Sequence, residues 1–189
     1  HLRSGWHPTA TIGALAATAA AGRLSGLDAE GVARAWGIAG SQVSGLARNF
    51  GTMTKPFHVG HAAQTGVMSA WLAAKGLTSD AAIFDDKGGI IDTYAGGDGE
   101  PIEAILSSLC DPWDILSPGN CVKRWPCCYS GHRTIAALYG LIEDHAITAD
   151  DVTDVSVSFL PGGDTALLST HPQNGLEGKF SIEYMVAAV

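Results

Sequence analysis

The feature that most constrains this chain is its supply of small side chains. Gly occurs 24 times in 189 residues, and Ala dominates runs such as Ala16–Ala21. Helices faced with Gly and Ala come closer together than helices faced with Leu or Phe, so the pattern predicts tight helix-on-helix packing. Hydrophobic residues make up 46% of the chain and charged residues 16%, a balance that suits a buried globular core rather than disorder. No apolar stretch reaches the length of a membrane span. The most apolar one, Ile12–Ala21, is interrupted by Gly13 and Thr18, so no membrane partner is expected.

Local signals divide the chain. Pro8 and Thr9 open a helical run to Leu24, and Gly26 suits its stop. Asp28 is placed to cap a second helix from Ala29 to about Gly40, with Val32, Ala35, Trp36 and Ala39 at helical spacing. Gln42–Arg48 reads as a short helix and Gly51–Pro56 as a loop. His61–Lys75 reads as a helix with Ala62, Val67, Trp71 and Ala74 on an apolar face. Ser79–Ile83 and Pro101–Leu109 read as further short helices, joined by a Gly- and Asp-rich connection over 86–100. After an irregular stretch, Gly131–His145 is helical. Asp154–Leu160 alternates as a strand with Val155, Val157 and Phe159 on one face, and Ala166–Leu168 offers a second strand. Phe180–Val189 returns to a helical pattern with Ser181 as its cap.

The fold class expected is therefore mainly α. Residues 1–114 form part of a large all-α helical domain, 115–178 a smaller α+β lid domain, and 179–189 the start of a return to the helical domain. The chain opens on His1 rather than Met, and its last helix carries no stop signal. It reads as a section of something longer, without the basic-then-apolar order of a signal peptide.

The formal net charge is −8, which argues against nucleic acid as a partner. The distribution says more than the sum. No Asp or Glu lies between Glu30 and Asp80, nor between Asp114 and Glu143. Those windows hold Arg34, Arg48, Lys55, Lys75, Lys123, Arg124 and Arg133, together with His58, His61 and His132. Basic segments kept free of acids in an acidic chain suit an anion pocket as well as they suit buried helices with few charges. The four cysteines, Cys110, Cys121, Cys127 and Cys128, contain no Cys-x-x-Cys pair of the kind zinc uses. They read as reduced thiols of a cytoplasmic protein, and no metal is expected.

Three segments combine residues that chemistry can use. In Gly5-Trp6-His7-Pro8-Thr9, His7 precedes a helix whose N-terminal N–H groups favour an anion, and its imidazole can carry a proton to or from a bound acid. In the segment from Gly51 to Gln64, Thr52, Thr54 and Lys55 offer hydroxyl, backbone and ammonium donors ahead of a helix expected near His61. It is not a nucleotide-binding loop, because the Gly spacing and the Lys-Ser/Thr ending are absent. In Lys123-Arg124-Trp125-Pro126-Cys127-Cys128, followed by His132, two cations can clamp a carboxylate beside a thiol and an imidazole.

Taken in order, Gly5-Trp6-His7-Pro8-Thr9, Gly40-Ser41-Gln42-Val43-Ser44-Gly45, Gly51-Thr52-Met53-Thr54-Lys55 and Lys123-Arg124-Trp125-Pro126-Cys127-Cys128 resemble the MmgE/PrpD family, and Lys179-Phe180-Ser181-Ile182-Glu183-Tyr184 resembles a later family segment. The family includes 2-methylcitrate dehydratase, cis-aconitate decarboxylase and iminodisuccinate epimerase. The resemblance implies a helical domain with a smaller α+β lid and an active site between the two. It also implies a homodimer, no metal or organic cofactor, and a small di- or tricarboxylate substrate. It matches His7, Lys55 and Lys123 to family active-site residues, with His132 in the same segment as Lys123. His7, Lys55, Lys123 and His132 are thus the expected catalytic residues, and Thr52, Thr54, Arg124 and Cys128 the expected substrate-binding ones.

The activity expected is a 2-methylcitrate dehydratase-like elimination of water, by proton abstraction next to a carboxylate, as in propionate metabolism. Epimerisation and decarboxylation on the same fold are the alternatives, as is an inactive chain that binds carboxylates or serves oligomer contacts. The decarboxylase branch carries His where this chain has Cys128, which disfavours decarboxylation. The family also draws an Asp and a His from an earlier segment absent here, so the isolated chain is expected to be inactive.

Overall fold

The computed structural model describes residues 4–85, 87–95, 106, 107 and 109–189. The helices are α1 (Pro8–Leu24), α2 (Ala29–Gly40), α3 (Thr54–Ala74), α4 (Ile90–Ala95), α5 (His132–His145), α6 (Gly175–Gly178) and α7 (Ile182–Ala187). The mainly α class is as the sequence predicts. Two compact units divide the chain: His1–Ala47 with Pro56–Asn120, and Arg48–Lys55 with Cys121–Val189. Among the described residues, no helix is long and apolar enough to cross a membrane.

The first unit is built on close backbone approach. A Cβ placed on Gly66 of α3 would meet the backbone and Cβ of Ala17 and the N of Thr18 on α1. Two helices this near leave room between them for little more than methyl and hydroxyl groups. The buried face of α3 accordingly consists of His58, Ala62, Thr65, Gly66, Ser69, Ala70 and Ala73. On α1 the most deeply buried residues include Ala14, Thr11 and Thr18. Buried hydroxyls have partners: Thr18 Oγ1 donates to Ala14 O one turn earlier at 2.7 Å, and Ser69 Oγ accepts from the distant Gln42 Nε2 at 3.2 Å. Back-bonding of this kind lets Thr sit in a helix core at small cost.

This packing corrects the expected face of α3. Ala62 is buried, but Val67 and Trp71 are 64% and 57% exposed, and Ala74 is exposed too. The bulkiest apolar side chains cannot enter so narrow a contact, so they turn outward. The start of α3 also differs. It begins at Thr54, because the Thr54 N–H donates to Thr52 Oγ1 at 3.2 Å and Pro56 falls in the first turn, where its missing N–H costs nothing. The N–H groups expected to be free near His61 therefore lie inside the helix.

α1 and α2 match their sequence signals, and Asp28 Oδ1 accepts the Gly31 N–H at 2.8 Å. The helix expected at Gln42–Arg48 is replaced by extended chain and a single 3-10 turn at Ala47–Asn49. Gly45, at φ +132°, takes a conformation that no helix contains. Ser79–Ile83 is likewise not helical; Ser79 Oγ donates instead to Arg34 O at 2.7 Å. The 86–100 connection contains α4, while most of Pro101–Leu109 lies outside the described residues.

The second unit gathers Cys128, Ile135, Phe180 and Met185 into a core, with Phe50, Trp125 and Ile182 packed against it. α5 supplies Ile135. Ser181 caps α7 by accepting the Tyr184 N–H at 3.2 Å, as its sequence implies. The strands expected at Asp154–Leu160 and Ala166–Leu168 do not form. Alternation predicts which side chains share a face, but a strand also requires a neighbour to complete its ladder. Among the described residues that neighbour is absent: Val157 and Phe159 are half-buried and Val155 is 42% exposed.

Candidate functional site

In the first unit, His7 is the N-cap residue of α1 and only 4% exposed. Its backbone is fixed from both sides. The His7 N–H donates to Gly45 O at 3.0 Å, and the Ala47 N–H donates to Gly5 O at 2.8 Å, which forms an antiparallel bridge at Trp6 and Leu46. Thr11 Oγ1 donates to His7 O at 3.2 Å. The ring is fixed as well, with His7 Nδ1 lying 2.9 Å from His58 Nδ1. His58, on α3, is 6% exposed. A Cβ on Gly45 would collide with Ala10 and lie 3.5 Å from the His58 ring, so glycine is required where this segment passes. Nearby, Tyr94 OH donates to Val43 O at 2.7 Å, and its ring packs 4.9 Å from that of Trp6.

In the second unit, Lys55 is half-buried, its ammonium 5.3 Å from the Phe50 ring centre and 5.5 Å from that of Phe180. Burial lowers its pKa, the neighbouring Lys123 lowers it further, and the Cys128 thiol opposes the shift. Lys123 is exposed, and its Nζ donates to Cys127 O at 2.9 Å. Burial raises the Cys127 pKa, against the pull of Lys123. Cys128 is buried at 9% exposure and tied down by its N–H to Lys179 O at 2.8 Å.

His132 opens α5 and is 7% exposed, edge-on to Trp125 at 5.2 Å and tilted against Tyr129 at 5.1 Å. Its Nε2 has no hydrogen-bond partner among the described residues. Arg124 lies 4.9 Å over the Trp125 ring. Thr52 Oγ1 donates to Asn49 O at 2.8 Å, so its hydroxyl serves the turn that starts α3.

Of the residues expected from sequence, Lys55, Lys123 and Cys128 come together electrostatically within the second unit, whereas His7 belongs to the first. Arg34, part of a basic window, pairs with Glu30 at 2.7 Å one turn earlier, so that window does not leave it unpaired. His58 lies within the segment from Gly51 to Gln64. The only signal for it was a histidine in an acid-free window, since nothing local links positions 7 and 58. Among the described residues no group of three His, Cys, Asp or Glu is placed to hold a metal ion.

These observations meet the comparison with known proteins. The MmgE/PrpD N-terminal domain matches residues 1–102 and the MmgE/PrpD C-terminal domain residues 125–189. The chain belongs to the MmgE/PrpD family. Among its relatives, cis-aconitate decarboxylase of Homo sapiens is 28% identical over 190 residues, covering 97% of this chain and 38% of that protein. Cis-aconitate decarboxylase of Aspergillus terreus is 31% identical over 146 residues, covering 74% of this chain and 29% of that protein. The chain thus spans well under half the length of these relatives.

Proposed function

We propose that this chain contributes to a cofactor-independent lyase acting on a small di- or tricarboxylate. Lys55 and Lys123 are assigned to binding carboxylate and offsetting the negative charge that develops on it, and His7 to proton transfer. The observation that carries the reading is the Lys55–Lys123 pair. Burial first, and then the charge of Lys123, disfavour the ammonium form of Lys55, and two like charges that repel make a favourable place for an anion. A carboxylate relieves that repulsion and the cost of burial together. Arg124, Thr52 and Thr54 are assigned to binding the rest of the substrate. His132, whose Nε2 has no hydrogen-bond partner among the described residues, is assigned to orienting the substrate or exchanging a proton with it.

Water elimination of the 2-methylcitrate dehydratase kind is the reaction proposed. It needs a proton removed next to a carboxylate and a hydroxide lost from the neighbouring carbon, with no redox change. Decarboxylation is the second reading, favoured by the relatives named cis-aconitate decarboxylase. It needs the same stabilisation of a carbanion but releases CO2. Product analysis of the complete reading-frame product with 2-methylcitrate, citrate and cis-aconitate separates the two. Loss of water from a hydroxy acid supports the first reading, CO2 from cis-aconitate supports the second, and no turnover with any of them sinks both. A homodimer belongs to the proposal as well. The exposed Val67 and Trp71 on α3 are apolar surface of the kind a subunit contact covers, and light scattering tests it.

A further inference from the structure

We propose that His58 is a positioning residue that fixes the ring tautomer of His7. The inference rests on the reading of His7 as the group that moves a proton.

Two imidazole nitrogens 2.9 Å apart cannot both carry hydrogen, and two bare lone pairs would repel. One Nδ1 must be protonated and the other not. A neutral imidazole has a single N–H, so the proton's position on one nitrogen sets the state of the other. If His7 carries its proton on Nδ1 and donates it to His58 Nδ1, the lone pair of His7 is on Nε2, and that nitrogen is the base. If the donation ran the other way, His7 Nε2 would carry the hydrogen and have no lone pair to accept a proton.

The proposed function therefore selects one arrangement: His7 is the donor and His58, protonated on Nε2, is the acceptor. When His7 then takes a proton on Nε2, it becomes an imidazolium that still donates from Nδ1. Its bond to His58 becomes charge-assisted and stronger. The pair takes up one proton as a unit, because a second would place two N–H groups face to face.

The surroundings hold this geometry. Both rings are more than nine-tenths buried. The His7 backbone is pinned by Gly45 and Thr11. His58 lies on the face of α3 that the close contact at Gly66 brings against α1. Rotating either ring away would break a buried hydrogen bond.

Nitrogen NMR of the 15N-histidine-labelled chain tests this directly. In the wild type, His7 should show a protonated Nδ1 and a bare Nε2, and His58 the reverse. Variants His58→Asn and His58→Gln extend the test. The Asn amide reaches about as far as the imidazole Nδ1, whereas the Gln amide reaches as far as Nε2. His58→Asn should keep His7 in the Nδ1–H form, and His58→Gln should return it to the Nε2–H form. In the complete reading-frame product, kcat should fall roughly tenfold or more for His58→Gln with KM little changed, and His58→Asn should recover much of it.

A wild-type His7 protonated on Nε2, or a His7 tautomer indifferent to both variants, overturns the proposal whatever the kinetics. A tautomer that switches in His58→Gln while turnover stays unchanged upholds the positioning role of His58 and removes His7 from the chemistry. The wild-type spectrum alone decides the matter if either variant fails to fold.

Discussion

The two units treat their functional groups in opposite ways. In the first, the imidazoles of His7 and His58 are buried against each other at 2.9 Å, on helices locked by contacts between Gly, Ala and Thr. In the second, Lys123 and Arg124 are exposed, Lys55 rests on two phenyl rings, and His132 Nε2 has no hydrogen-bond partner among the described residues. The first has its polar partners in place; in the proposed function the second holds cations that an anion from outside would pair. Preorganisation suits a group that must place a proton accurately. Long, partly solvated side chains suit a group that must follow the carboxylates of a substrate.

The contrast predicts effects of different kinds. The largest should come from His7→Gln in the complete reading-frame product, with kcat lowered about 10²–10⁴-fold and KM changed far less. The reverse pattern in steady-state kinetics would make His7 a binding group and erase the distinction between the units. Lys55→Ala should lower kcat/KM about 10²–10³-fold while the circular dichroism spectrum is preserved. Unchanged kinetics would take Lys55 out of the site.

Stability sharpens the comparison within α3. Gly66→Ala has no room beside Ala17 and should destabilise by about 1–3 kcal/mol. Gly60→Ala meets nothing within 4 Å and should stabilise by about 0.5–1 kcal/mol from helix propensity. Urea denaturation of the two variants checks that opposition in sign, and equal shifts would refute the close contact.

A smaller effect follows from Lys55 itself. Burial and Lys123 disfavour its charged form, so between its depressed pKa and the ordinary lysine value the unfolded chain binds more protons than the folded one. Over that window the Lys55 contribution to stability rises with pH. Lys55→Met should therefore raise the melting temperature at neutral pH, with the gap to wild type closing as the pH nears the ordinary lysine value. The smallest expected effect is an order of alkylation. The exposed Cys110 and Cys121 should react before Cys127, whose pKa burial raises, and before the buried Cys128. Mass spectrometry of partly alkylated protein reads that order.

Legibility followed the range of the signal. The extents of α1 and α2, and the caps at Asp28 and Ser181, were legible because a cap and its helix lie within four residues of each other. The start of α3 is not legible from Pro56, which signals a break in most positions but is tolerated in a first turn. The composition of Gln42–Arg48 favours a helix, but Gly45, with its φ of +132°, answers to neighbours distant in sequence. Lys55, Lys123 and His132 are legible as candidates from residue type and family likeness alone. His58 carries no local signal, because its partner lies 51 residues away.

By itself, the sequence determined that helices dominate, where the best-capped ones begin, and that small residues would set how closely they pack. It also determined membership of the MmgE/PrpD family, whose N-terminal and C-terminal domains match residues 1–102 and 125–189. Only the tertiary structure decided which face of α3 is buried, that the alternating run near Val157 stays unpaired among the described residues, and that His7 meets His58. Each of those outcomes depends on what a distant segment brings alongside, and no local periodicity carries that information. The abundance of Gly and Ala predicted a close contact; the fold chose Gly66 against Ala17 as the place where it is made.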